Sequence, residues 1–371
     1  MENGSVPFDA DTIKSYAIAR CFSPQEDEAD CGLMQHLSFH QQGETCVTSR
    51  SDGVISILNC VSGKMNKLIH SKRYGVDLVR YTHHPDCILF TSASIRTAQD
   101  PVSTTAVNHD HRIRYHSVFD NQFLRYYSGH TANVTSLMMH PTADEFLSAS
   151  LDGTVRLWDL RCADTASLLQ ADHGPVMHMS AAFDHEGVVF AVYSDDYMVR
   201  MYDARSYQEG PFAKFSLYDA SILATIEPYL LHIQAPSVNV KKLHAVNLQF
   251  SPDGNHLLVG TNRGVFLQLD AFEGSCQHMY PAYHRSSLAG RTDHEAIQVG
   301  SSFSADGSIV SIGGEDGRIW SYSTKTGEHV ATFPVAHHGP VVGVVWNPQR
   351  HLLASIGAMS TVLWTPKPQD G

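Results

Sequence analysis

Positive charge is scarce in this chain. Lys and Arg number 26 against 38 Asp and Glu, a formal charge of −12 over 371 residues. Duplex DNA is bound largely through basic side chains that release phosphate counterions, so direct DNA binding is not expected. Basic pairs occur at Lys72-Arg73 and Lys241-Lys242, and two adjacent charges alone usually mark solvated loop. Disulfide chemistry is equally unsupported. Cys21, Cys31, Cys46, Cys60, Cys87, Cys162 and Cys276 are odd in number, dispersed and without a Cys-x-x-Cys pair, which argues against both a disulfide framework and a zinc knuckle. Free thiols in strands fit a reducing compartment. No apolar run approaches the ~20 residues that span a bilayer, and the acidic, polar start lacks a secretory pattern. The expectation is a soluble intracellular protein.

Motifs for catalysis are also missing. No nucleophile elbow orders a Ser-His-Asp set, and no phosphate loop is present. Gly313-Gly314-Glu315-Asp316-Gly317 is glycine-rich, but it lies between two strand patterns and reads as a turn. The 23 His invite a metal reading, and His109-Asp110-His111 places two imidazoles on one face of a strand. No third ligand is identifiable there, so neither metal nor cofactor is expected. His83-His84, Asp172-His173 and His337-His338 fall at repeat junctions and read as structural. The chain is expected to be a non-enzyme.

What is present is a repeat. Gly129-His130 is followed by Val134 to Pro141, then Phe146-Leu147-Ser148-Ala149-Ser150, a turn at Asp152-Gly153, and Thr154 to Trp158-Asp159. This is one complete WD repeat, a four-stranded propeller blade. His130, Ser148, Asp152 and Trp158 are spaced to form a buried hydrogen-bonded chain, with Asp152 holding the turn. A single blade cannot bury its own apolar face, so others must follow. First-strand ends recur at Phe39-His40, Tyr81-Thr82, Met139-His140, Phe183-Asp184, Phe250-Ser251, Phe303-Ser304 and Trp346-Asn347. Tight turns at Ser51-Asp52-Gly53 and Glu315-Asp316-Gly317 support the count, with weaker ones at Asp195-Asp196-Tyr197 and Asn262-Arg263-Gly264. Leu58, Tyr202 and Tyr322 replace the Trp of other blades, so apolar packing must hold most of them.

The expected fold is therefore all-β, a single seven-bladed propeller over 13–365 with a tail at 366–371. The last blade lacks a strand, and Ser15 to Phe22 should supply it beside Ser360 to Trp364. Two insertions stand out. Residues 95–110 lie inside the second blade. Residues 219–242, rich in Ile and Leu, lie between the fourth and fifth and should fold back on the rim or form a partner patch.

Several segments exceed what a blade demands. They are Ser71 to His83 with its Tyr74-Gly75-Val76-Asp77-Leu78 block, Asp120-Asn121 with Arg125-Tyr126, Trp158-Asp159-Leu160-Arg161, Gly210-Pro211-Phe212-Ala213, and Leu269 to Gly274. In this order the chain resembles the WD-repeat protein 82 family, whose yeast member is the second WD-repeat subunit of COMPASS. The resemblance covers about Ile13 to Trp364. It implies a nuclear, non-catalytic adaptor, a monomer within a hetero-complex. The implied partners are a COMPASS-type histone H3 lysine-4 methyltransferase subunit, protein phosphatase 1 with its nuclear targeting subunit, and the phosphorylated C-terminal domain of RNA polymerase II. The two insertions depart from the family pattern and leave partner choice open. From the residues themselves, Lys72, Arg73, Tyr74, Asp77 and Arg80 are candidate partner contacts, since Tyr and Arg often anchor interfaces. The competing reading is that Tyr74 and Asp77 merely fix the blade junction. Trp158-Asp159-Leu160-Arg161 also matches the WDxR pattern of substrate receptors of a cullin-RING ubiquitin ligase, as an alternative function. Tyr202-Asp203-Ala204-Arg205 nearly matches it.

Overall fold

Strand follows strand through almost the whole chain. A computed structural model describes residues 8–23, 31–92, 110–163, 165–171, 176–232, 243–262, 264–282 and 299–367. Its strands form seven four-stranded antiparallel sheets, each a blade, so the architecture is the expected seven-bladed propeller and is nearly all β. Blade 1 runs from Met34 to His70, blade 2 from Val79 to Tyr127 and blade 3 from Val134 to Gln170. Blade 4 runs from Ser180 to Ser216, blade 5 from Ala245 to Pro281 and blade 6 from Ser301 to Phe333. Blade 7 takes three strands from Gly343 to Pro366 and its fourth, Tyr16–Phe22, from the other end of the chain. Ile18 pairs with Trp364 and Phe22 with Thr361, the closure expected from the alternation in that segment. It covers the edge of Thr361–Pro366 and makes Tyr16–Phe22 the outer strand of blade 7.

Burial follows position within a blade. The second strand of blade 2, Cys87–Thr91, is buried at every residue because it packs between two neighbouring sheets. The outer strand Lys64–His70 of blade 1 is mostly exposed. Apolar clusters bridge adjacent blades, as where Val47, Ile55 and Ile57 of blade 1 meet Val79, Tyr81, Ile88 and Phe90 of blade 2. Each such side chain contributes about 1.5–3 kcal/mol on burial, which makes these seams the main cohesive force of the ring.

A belt of polar contacts ties blade to blade at first-strand ends. His40 Nε2 lies 3.2 Å from the His83 carbonyl, His83 Nε2 3.0 Å from that of Ala143, and His140 Nε2 3.2 Å from that of Gly187. Asn347 donates to the Gly43 carbonyl at 2.8 Å, carrying the belt across the closure. The histidines after the first strands are thus used in packing.

Among the described residues, two α-helices accompany the propeller. Helix α1, Ala10–Lys14, is capped by Asp9, whose carboxylate accepts from the Thr12 amide at 2.7 Å. Its Ile13 is fully buried with Trp346 and Trp364. The expected start at 13 therefore falls within this helix, and the final strand extends to Pro366. Helix α2, Ala220–His232, occupies the first half of the 219–242 segment. Ile222 and Ile226, one helical turn apart, are buried in the core shared by blades 4 and 5. The 95–110 segment except Asp110, residues 233–242 with Lys241-Lys242, and the tail beyond Lys367 lie outside the described residues. So do His109, Asp172-His173 and Arg263.

Candidate protein-interaction surface

In blade 3 the side chains at the spaced positions meet. His130 Nδ1 is 2.9 Å from Asp152 Oδ2, and His130 Nε2 is 2.7 Å from Ser148 Oγ. The Trp158 indole donates to the same hydroxyl at 2.8 Å. Asp152 also accepts from the Thr131 amide, the Thr154 amide and the Thr154 hydroxyl at 3.0, 2.9 and 2.6 Å. Burial alone would raise the Asp152 carboxyl. The bonds from His130, Thr154 and Thr131 outweigh it and hold the carboxyl well below its ordinary range. Burial lowers the His130 imidazole, which keeps it neutral with its proton on Nδ1.

Blade 7 carries a second relay that strict motif matching passes over. His337 Nδ1 meets Ser360 Oγ at 2.7 Å, His337 Nε2 meets Ser355 Oγ at 2.8 Å, and Trp364 donates to Ser355 at 2.8 Å. Ser360 stands in for the aspartate. Burial pulls the His337 imidazole down to about 4. The signal available in the sequence was the His337…Ser355…Trp364 spacing.

The segment proposed for partner contact is divided by the fold. Lys72 and Arg73 are exposed beyond the end of blade 1. Tyr74 is half-buried beneath two guanidinium groups, with Arg114 at 4.0 Å and Arg73 at 5.3 Å from its ring centre. Asp77 ties the first two blades together through its backbone: its amide donates to Thr91 O at 3.1 Å and its carbonyl accepts from Ser49 Oγ at 2.6 Å. Arg80 turns away from Lys72 and Arg73 into the axial cavity and donates to the Leu137 carbonyl at 2.9 Å. That cavity, about 390 Å³, is also lined by His83, Met138, His140, His185 and Asn247. Lys72 and Arg73 therefore share a surface that Arg80 does not reach.

Around Tyr74 the structure assembles residues from blade 2 that the linear reading did not collect. Arg114 is fully buried and pairs with Asp110 at 2.6 Å, while Arg112 pairs with the same carboxylate at 2.8 Å. The Arg112 hydrogen bond comes first among the causes holding the Asp110 carboxyl down to about 2. Arg112 lies over Tyr126 at 5.3 Å, and Phe123 stacks on Tyr126 at 5.4 Å. Phe123, Leu124 and Phe119 are exposed, Phe119 to 77%. Cations layered on aromatic rings beside apolar side chains form an amphipathic surface, the composition that protein interfaces favour.

The WDxR element has an internal use. Arg161 chelates Asp159, with Nε 2.9 Å from Oδ1 and Nη2 2.7 Å from Oδ2. In blade 4 the Arg205 amide donates to Asp203 at 2.7 Å. Both aspartates hold the loop after the third strand.

Seven blades with the blade-3 relay define a WD-repeat β-propeller. The family model "WD domain, G-beta repeat" matches residues 121–159. The chain is 31% identical over 359 residues to WD repeat-containing protein 82 of Drosophila melanogaster, 97% of each protein. It is 30% identical over 331 residues to COMPASS component SWD2 of Saccharomyces cerevisiae, covering 88% of this chain and 87% of that one. Set1 complex component swd2 of Schizosaccharomyces pombe is 36% identical over 245 residues, 66% of this chain and 58% of that protein. The chain belongs to the WD repeat-containing protein 82 family.

Proposed function

We propose that this protein is a non-catalytic scaffold of nuclear complexes that act on chromatin and transcription. The first of these is a COMPASS-type histone H3 lysine-4 methyltransferase complex. The second is a protein phosphatase 1 complex, built with its nuclear targeting subunit, in transcription termination and RNA 3′-end processing. The observation that carries the reading is the similarity along nearly the whole chain to relatives named for the Set1 complex and COMPASS. The rigid ring with exposed loops supports it, because such a platform presents side chains without ordering costs on binding.

Within this reading the docking face lies around blade 2. Phe119, Phe123 and Leu124 offer apolar contact, and Lys72, Arg73 and Arg112 offer charge. On an otherwise acidic chain, a local basic rim steers and orients an acidic partner segment. The test is affinity capture from nuclear extract with wild-type protein and Lys72→Glu/Arg73→Glu. Wild type should recover methyltransferase or phosphatase subunits, and the double variant should recover less of them. Turnover of a methyl or phosphoryl substrate by the isolated chain would refute the scaffold reading. Capture of a cullin adaptor that Arg161→Ala abolishes would replace it with the ubiquitin-ligase alternative.

A further inference from the structure

Among the described residues, one constellation places three metal-binding side chains together: His178, Asp195 and His244, with a ligand atom from each within 4.8 Å of the other two. We propose that these three residues bind a divalent transition metal ion, with Zn²⁺ the best match, at the seam between blades 4 and 5. The proposal stands apart from the scaffold role and does not depend on it.

Asp195 and its neighbour divide the work that Asp152 does alone in blade 3. The working carboxylate of that turn is Asp196, which accepts from Ser194 Oγ at 3.0 Å and from the Met198 amide at 3.3 Å, and pairs with Arg200. Asp196 thus takes the turn-holding part of the role of Asp152 in blade 3, and Asp195 the part that bonds the loop before the first strand. Asp195 stands where Ser51 and Leu151 stand in other blades, and it addresses two imidazoles instead. Its Oδ1 lies 2.9 Å from His178 Nδ1 and 3.6 Å from His244 Nδ1. A tetrahedral zinc ion with arms of about 2.0–2.2 Å needs ligand atoms about 3.3–3.6 Å apart. The second separation fits that range, and the first, a hydrogen-bond distance, must open by about 0.4 Å to admit the ion.

The surroundings already hold the ligands in place. The amides of Met177 and His178 donate to Asp195 at 2.6 and 3.0 Å, fixing the carboxylate. The Tyr197 ring centre is 4.6 Å from the His244 imidazole, while the Tyr193 hydroxyl, 3.2 Å from His244 Nδ1, sits at the lone pair an ion would take and must turn aside on binding. Tyr197 is held at φ 64, where the corresponding turns of blades 1 and 3 place glycine. The two imidazoles lie face to face at 4.1 Å, 11° from parallel, so one ring must tilt for both lone pairs to converge on an ion. Side-chain exposures of 24%, 28% and 15% give an ion access from solvent. Two nitrogens and one carboxylate oxygen suit zinc, and three protein ligands leave the fourth position to water.

Titration of the purified full chain with Zn²⁺, and with Co²⁺ followed by its visible absorption, should reveal one stoichiometric equivalent. His178→Asn and His244→Asn should each weaken it by more than the ~10–100-fold that loss of a supporting residue costs. His84→Asn, at an exposed imidazole in blade 2, should leave it unchanged. The absence of a stoichiometric equivalent, or one that survives both substitutions, overturns the site. Should a variant fail to fold, X-ray absorption of the zinc-loaded wild-type chain decides. A shell of two imidazoles with oxygen upholds the site, and a shell containing thiolate overturns it.

Discussion

Replacing Asp152 by Ala removes an acceptor on which four donors converge. The Thr131 amide is exposed and re-bonds to water at little cost. The His130 Nδ1–H and the Thr154 amide are enclosed, and only the His130 proton has a substitute, the Thr154 hydroxyl at 3.3 Å. An unpaired buried donor costs about 1–3 kcal/mol, and the Thr154 amide is left as one, so the substitution should destabilise the fold by about that amount. Blade 7 supplies the internal control, because Ser360 satisfies His337 there with a hydroxyl. Asp152→Ser should accordingly recover roughly half the loss. Urea unfolding followed by intrinsic tryptophan fluorescence measures both variants. The sign with pH is fixed by the depressed carboxyl of Asp152. Its contribution is present above the unfolded value of 3.8 and fades as pH falls through the lower folded value. The gap between wild type and Asp152→Ala should therefore narrow in strong acid. An unchanged urea midpoint at neutral pH would refute the relay as a stabilising element.

Three further outcomes are expected. Burial lowers His337 to about 4, so its contribution is full above its ordinary value of 6.5 and is lost as pH falls from there toward 4; His337→Gln should flatten that part of a stability–pH profile. Removing residues up to Phe22 strips a strand from blade 7 and exposes Thr361–Pro366 as an edge, so the product should aggregate, as light scattering will detect. Tyr74→Ala should lower the melting temperature, because Arg114 and Phe123 lose the ring they pack on, whereas Lys72→Glu/Arg73→Glu should leave it nearly unchanged. Equal melting temperatures for all three proteins would assign Tyr74 to binding alone.

The ring was legible because the blades repeat a local pattern: an apolar first-strand end in all seven, an Asp-Gly turn in blades 1, 3 and 6 and, in blade 3, every polar member. Even the closure could be read, since blade 7 is one strand short and Tyr16–Phe22 alternates. Arg80 lies apart from Lys72 and Arg73 because of strand geometry. Val79 and Tyr81 are core residues, so strand alternation sends Arg80 to the opposite face, here the axial cavity. The blade-2 platform and the His178–Asp195–His244 group depend on contacts between segments far apart in the chain. His178 precedes blade 4 and His244 precedes blade 5, and no local spacing links them. The Ser360 relay escaped notice because a hydroxyl does there what the motif assigns to a carboxylate.

The shared blade also sets the order of events at the ribosome. Tyr16–Phe22 precedes all the other strands, and its partner Thr361–Pro366 emerges only after six blades have been translated. At about 5–20 residues per second, that wait lasts tens of seconds. For all that time a nascent strand has no sheet to join, and six blades accumulate in an open arc with two exposed seams. The ring therefore closes only after the strand at Thr361–Pro366 has been made, and until then the waiting strand is its most exposed element.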